Sequence, residues 1–95
     1  MASWTQRVVA LLRQKIRYPR AAEADQLEGT VLVRISLDAA GTIVAATVAK
    51  TSGEALLDRE ALLQVRALGR LAAPPDTTPR TLDVPIDFVL PREQR

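Results

Sequence analysis

The stretch Thr81-Leu-Asp-Val-Pro-Ile-Asp-Phe-Val-Leu90 limits what this chain can fold into more than any other. Leu82, Val84, Ile86, Phe88 and Leu90 share one parity, and Thr81, Asp83, Pro85, Asp87 and Val89 share the other. Such alternation predicts a β-strand with one buried face. Pro85 stands in its middle. Proline has no backbone N–H, so a strand that holds it belongs at a sheet edge, with the missing donor turned outward. Val84, Ile86 and Phe88 then bond inward to a neighbouring strand. Asp83, Asp87 and Val89 offer their backbone groups outward. Phe88 shares the buried parity and reads as core.

The rest of the chain supplies what this strand packs against. Ser3-Trp4-Thr5-Gln6 has capping-box spacing. Trp4, Val8, Leu11, Leu12 and Ile16 recur at helical spacing, which predicts an amphipathic helix over about residues 4–16. It ends by Tyr18, because Pro19 disfavours the α conformation before it. Pro19 suits the first turn of a short helix reaching Asp25. Thr30–Leu37 alternates, with Val31, Val33, Ile35 and Leu37 inward. Asp38-Ala-Ala-Gly41 reads as a hairpin loop with Gly41 at positive φ. A second strand runs from Thr42 to about Lys50. Ile43 and Val48 fall on opposite parities there, which calls for a bulge or for burial on both faces. Asp58 is expected at the N-cap of the next long helix, with Leu57 and Leu62 as a hydrophobic staple. Ala61, Leu62, Val65 and Leu68 form its buried stripe, and Gly69 follows at C′. Pro74, Pro75 and Pro79 stiffen the loop to the last strand. The expected fold is α+β: helix, strand, strand, helix, strand, with a small antiparallel or mixed three-stranded sheet of order 2-1-3 packed against helices.

Composition narrows the chemistry. Ninety-five residues, 47% of them hydrophobic, suffice for one small domain with a real core. With only Trp4, Tyr18 and Phe88 as aromatics, that core is aliphatic. The absence of Cys and His excludes disulfides, thiol nucleophiles, Ser-His-Asp triads and the commonest zinc sites. No cofactor or metal is expected. Asp83 and Asp87 would project from one strand face about 13 Å apart. That separation is too wide for a shared-proton dyad or a retaining glycosidase pair, so the chain reads as non-enzymatic. Charge is uneven: Arg7, Arg13, Lys15, Arg17 and Arg20 precede the first acidic residue. This run is a solvated helix face or a surface for an anionic partner. It lacks the interleaved aromatics of a stacking platform, so nucleic acid is not an expected partner.

Tyr18-Pro19-x-Ala21, Leu27-Glu28-Gly29 leading into Val31-x-Val33, Asp38-x-x-Gly41, Ser52-Gly53-x-x-x-Leu57-Asp58-x-x-Ala61-Leu62 and Val84-x-Ile86-x-Phe88-x-Leu90 form an ordered series. The series resembles the C-terminal domain of TonB-family energy transducers, from about Tyr18 to Leu90. The resemblance implies a periplasmic domain of a Gram-negative envelope protein, anchored in the inner membrane through a Pro-rich spacer and an N-terminal helix. It implies two partners. An ExbB–ExbD motor works on the anchor. A TonB-dependent outer-membrane transporter offers its N-terminal TonB-box peptide, which adds as a strand to the last strand of the domain. Pulling then admits iron-siderophore, haem or cobalamin. Carried over by position, Arg17, Tyr18, Pro19 and Arg20 fall on the segment that family members turn toward the transporter. Asp83, Val84, Pro85, Ile86, Asp87, Phe88 and Val89 fall on the peptide-accepting strand.

The anchor and spacer are expected upstream, so that residues 1–95 form one domain of a longer chain, with an N-terminal amphipathic helix over 1–17 and the family core over 18–90. The chain departs from the family pattern at Leu71, where an aromatic is usual near the end of the second long helix. It departs again in its well-formed first helix, which suggests a dedicated paralogue serving one transporter, such as a haem-uptake system. A TolA-like envelope adapter and a weak polyanion-binding domain are the alternative roles. An exposed edge also leaves room for a homodimer by strand exchange.

Overall fold

The computed structural model describes residues 3–89. Within them the order is α1 (Trp4–Lys15), α2 (Arg20–Ala24), β1 (Gly29–Leu37), β2 (Ile43–Lys50), α3 (Ala55–Leu68) and β3 (Arg80–Phe88). α1 starts where the capping box places it. The Ser3 N–H donates to Gln6 Oε1 and the Gln6 N–H donates to Ser3 Oγ, both at 3.1 Å. The helix stops at Ile16, which is already extended at φ −81° and ψ 130°. Pro19 sits at the cap of α2 and not within its first turn. Its ring-fixed φ serves an extended cap as well as a first helical residue.

The sheet order is β2-β1-β3, with β1 antiparallel to both neighbours. Every adjacent pair is therefore antiparallel, and the two outer strands run parallel to each other without touching. The β1–β3 register continues unbroken from Gly29–Phe88 to Leu37–Arg80 and passes through Leu32–Pro85. A proline allows that when its missing donor lies on the outward side. The β1–β2 ladder carries register shifts at Leu32/Val33 and at Ser36/Leu37. They resolve the parity conflict in β2: Ile43 opposite Leu37 and Val48 opposite Val33 both reach the core side. In the hairpin, Gly41 takes φ 86° and the Asp38 carboxylate accepts the N–H groups of Ala40 and Thr42 at 2.9 Å.

The core lies between one sheet face and the two longer helices. Val31, Val33, Ile35 and Leu37 of β1 and Val84, Ile86 and Phe88 of β3 are buried, with Leu57, Ala61 and Val65 of α3 and Trp4, Val8 and Leu12 of α1. α3 begins earlier than the sequence suggests. Glu54 holds the cap position, so Asp58 lies one turn inside the helix and is not its N-cap. Leu57 accordingly belongs to the buried stripe and not to a staple. At the other end Gly69, with φ 70°, is itself the cap. Asp58 instead ties down the preceding turn. Its carboxylate accepts from the Ser52 N–H at 2.9 Å, from the Ser52 hydroxyl at 2.7 Å and from the Thr51 hydroxyl. β3 starts at Arg80 and ends at Phe88, and Leu90 lies outside the described residues.

Two contacts set the path of α1. At its start, the Trp4 indole N–H donates to the Ala72 carbonyl at 2.9 Å, and the Arg80 guanidinium lies 5.5 Å from the Trp4 ring centroid. Just beyond its end, Tyr18 meets Phe88 edge-on, with centroids 6.3 Å apart and planes at 76°. Arg80 and Phe88 are the two ends of β3, so α1 runs along that strand.

Candidate functional site

The outward-facing side chains of β3 are fixed by cross-strand pairs. Arg34 donates to Asp83 through Nε at 2.8 Å and through Nη2 at 3.0 Å. The Thr30 hydroxyl donates to the Asp87 carboxylate at 2.7 Å, and the Ser36 and Thr81 hydroxyls are 3.3 Å apart. The Arg34 guanidinium, through hydrogen bonding first and charge second, holds the Asp83 carboxyl below its ordinary range despite some desolvation. These pairs keep the carboxylates over the solvent-facing sheet surface and off the strand edge. Beyond the ladder with β1, no hydrogen bond among the described residues reaches the outward backbone groups of Asp83, Asp87 or Val89.

The opposite edge is different. Arg66 Nη2 donates to the Ala46 carbonyl at 3.0 Å. The Ile43 N–H donates to the Gly69 carbonyl at 2.9 Å, and the Leu71 N–H to the Gly41 carbonyl at 2.8 Å. An antiparallel bridge joins Thr42 to Arg70. The end of α3 and the residues after it thus close the first half of the β2 edge. Sequence reasoning, led by Pro85, missed this closure.

The segment between α1 and α2 is aligned by Gln64 of α3. The Arg17 N–H donates to Gln64 Oε1 at 2.7 Å, and Gln64 Nε2 donates back to the Arg17 carbonyl at 2.6 Å. This two-bond clasp mimics a backbone pairing and leaves Tyr18 facing Phe88. The Tyr18 hydroxyl is part-buried. It lies against the carbonyls of Leu27 and, at 3.3 Å, Ala22. Desolvation, with Glu28 and Glu23 nearby, raises its pKa. Pro19 is buried, whereas Arg17 and Arg20 are exposed.

A groove of about 330 Å³ opens between these parts. Arg13 of α1 and Ile16 just beyond its end form one wall, with Tyr18 after them, and Ile86, Asp87, Phe88 and Val89 form the other. The structure therefore brings Tyr18 together with the far end of the last strand. Asp83, Val84 and Pro85 stand further along the strand, and Arg17, Pro19 and Arg20 do not line the groove. Val84, Ile86 and Phe88 have buried side chains. Arg13, Ile16 and Gln64 were not singled out by the sequence. Ile16 was legible only as the last apolar position of the α1 stripe, and Arg13 only as one of a basic run. Among the described residues no cluster of His, Cys, Asp or Glu could hold a metal ion, and no helix is long and apolar enough to cross a membrane.

Known proteins resemble this chain in sequence and fold. A family model for the Gram-negative bacterial TonB protein C-terminal matches residues 14–90. Protein TonB of Pseudomonas putida is 32% identical over 97 residues, covering 100% of this chain but 40% of that protein. The chain thus spans less than half the length of that curated relative. The solution structure of the Helicobacter pylori TonB C-terminal domain matches with a TM-score of 0.79 at 26% identity, over 95% of this chain and 83% of that one. The solution structure of TolAIII bound to a peptide derived from the N-terminus of TolB matches with a TM-score of 0.62 at 27% identity, over 93% and 72%. The open 2-1-3 sheet with its helices is the fold of the TonB C-terminal domain. With the family match running from the last residues of α1 through the whole of β3, the chain belongs to the Gram-negative bacterial TonB protein C-terminal family.

Proposed function

We propose that this domain takes the N-terminal peptide of an outer-membrane transporter as an added strand on β3 and transmits a pull to it. The observation that carries this reading is the inequality of the two sheet edges. The first half of the β2 edge is closed by Arg66, Gly69 and Leu71, while the outward groups of β3 have no partner within the described chain. Strand addition uses such an edge, with main-chain bonds for affinity and side-chain pockets for choice. It also suits mechanical work, because several backbone hydrogen bonds in register share a load. Pro85 divides the edge, so binding concentrates at Asp87 and Val89, beside the groove. Arg17, Tyr18, Pro19 and Arg20 complete the partner-facing segment.

The remainder of the reading follows the family. The domain works in the periplasm as the terminal part of an inner-membrane-anchored protein driven by an ExbB–ExbD motor. Its transporter imports iron-siderophore, haem or cobalamin. The domain binds and carries force, and it performs no chemistry. The TolAIII complex adds support, since a domain of similar fold is bound to a peptide from its partner's N-terminus.

Titration of transporter N-terminal peptides into isotope-labelled domain tests the proposal. Amide shifts should cluster at Asp87 and Val89, with weak affinity, because a flexible peptide loses conformational freedom on docking. Shifts confined to the exposed α1 face, with β3 unmoved, would sink it. A peptide from the TolB N-terminus, run in parallel, distinguishes a TolA-like adapter: tighter binding of that peptide would favour the adapter role.

A further inference from the structure

α1 is joined to the domain through side chains. Among the described residues no backbone hydrogen bond links it to another element. Trp4, Val8 and Leu12 sink one face into the core, and a polar contact closes each end. At the start the Trp4 indole N–H donates to the Ala72 carbonyl at 2.9 Å. Arg80 lies over the ring and is braced by donating to Asp76 at 2.7 Å. Just past the other end Gln64 grips both backbone groups of Arg17. β3, by contrast, pairs with β1 over nine consecutive positions, from Gly29–Phe88 to Leu37–Arg80. Off its seat, α1 has little to keep it folded. Its 12 residues are marginal for an isolated helix in water. Arg7, Arg13 and Lys15 have no acidic residue along the helix to pair with.

From this we propose that α1 is a tension-release element: a pull arriving from its N-terminal side strips it from β3 as far as the Gln64 clasp and leaves the β1–β3 sheet intact. The inference rests on the reading above, in which the domain is anchored upstream and loaded at β3. Such a pull meets the Trp4 contact first and the Arg17 clasp last. Once Trp4 leaves Ala72 and Arg80, the apolar stripe opens one turn at a time. The β1–β3 ladder is loaded along its length, so its nine pairs share the same force. Two bonds to the main chain of one residue arrest the opening at Arg17. A helix of 12 residues is about 18 Å long and about 40 Å when stretched, so release adds about 20 Å of reach. The first part of a pull is then absorbed in α1 and not in the bonds to the docked strand.

Optical-tweezers pulling of the whole chain tests this. The sequence has no cysteine, so Val89→Cys gives a unique handle opposite one on the N-terminus. The expected record is a step of about 20 Å before a much longer one as the sheet opens. Trp4→Phe keeps a ring but removes the bond to Ala72. At constant force it should open the first step about two- to tenfold faster and leave the second unchanged. Gln64→Ala should lengthen the first step beyond Arg17. The second step, where it survives, shows that the sheet of each variant is folded. One cooperative step in wild-type protein, with transporter peptides still shifting β3 amides, overturns the role of α1 and leaves strand addition standing. A first step that neither variant alters overturns the assignment of that step to α1. A first step with no β3 shift by any transporter peptide overturns the strand-addition reading and, with it, the use given to the release.

Discussion

Asp58 holds the β2–α3 turn by accepting from two hydroxyls and one backbone N–H. Burial works against its charged form. The hydrogen bonds from Thr51 and Ser52 outweigh it and keep the carboxyl below its ordinary range. Asp58→Ala should therefore cost about 1–2 kcal/mol, read by urea denaturation, since it strands donors around Ser52. The same bonds set a pH dependence. A carboxylate whose folded pKa lies below its unfolded one stabilises fully above the unfolded value, near 3.9, and loses that contribution as pH falls through the folded one. Asp83 and Asp76, each held low by hydrogen bonding to an arginine, act in the same sense, weakly because they are exposed. Stability should fall as pH drops below about 4, and less steeply in Asp58→Asn. The sequence misled here for a physical reason. An Asp before an apolar stripe has the signature of a cap, and only the hydroxyls of Thr51 and Ser52 upstream hint that it bonds backward.

At the scale of elements, β3 was the most legible part of the chain. Its alternation yields the buried set, its proline yields the edge, and the capping box fixes the start of α1, because each signal is local. The closure of the β2 edge and the clasp of Gln64 on Arg17 were invisible, since Arg17 and Gln64 meet only after α3 docks on the sheet. The placement of Pro85 supports a sharp expectation. Pro85→Thr adds a donor on the outward edge without touching the β1 ladder. Stability should stay within about 0.5 kcal/mol, while self-association through the β3 edge should rise in sedimentation measurements. Loss of fold instead would mean that the proline N faces β1.

At the scale of the molecule, residues 71–72 connect parts that are distant in sequence. Gly41, at φ 86°, lies so close to them that an added Cβ would stand 2.9 Å from the Ala72 carbonyl oxygen and closer still to that of Leu71. The same Ala72 carbonyl accepts the Trp4 indole N–H, and Trp4 in turn lies under Arg80 at the head of β3. The hairpin, α1 and β3 thus meet through one short stretch of backbone. Gly41→Ala must displace that backbone as well as strain its own. Gly53, at φ 93° with open space around it, isolates the strain alone. Gly53→Ala should cost roughly 1 kcal/mol, with Trp4 emission unchanged. Gly41→Ala should cost more, on the order of 2–3 kcal/mol, and should shift native Trp4 emission to the red as the buried indole loosens. Equal costs for the two variants, with unaltered emission in both, would show that the 71–72 stretch does not couple the hairpin to α1.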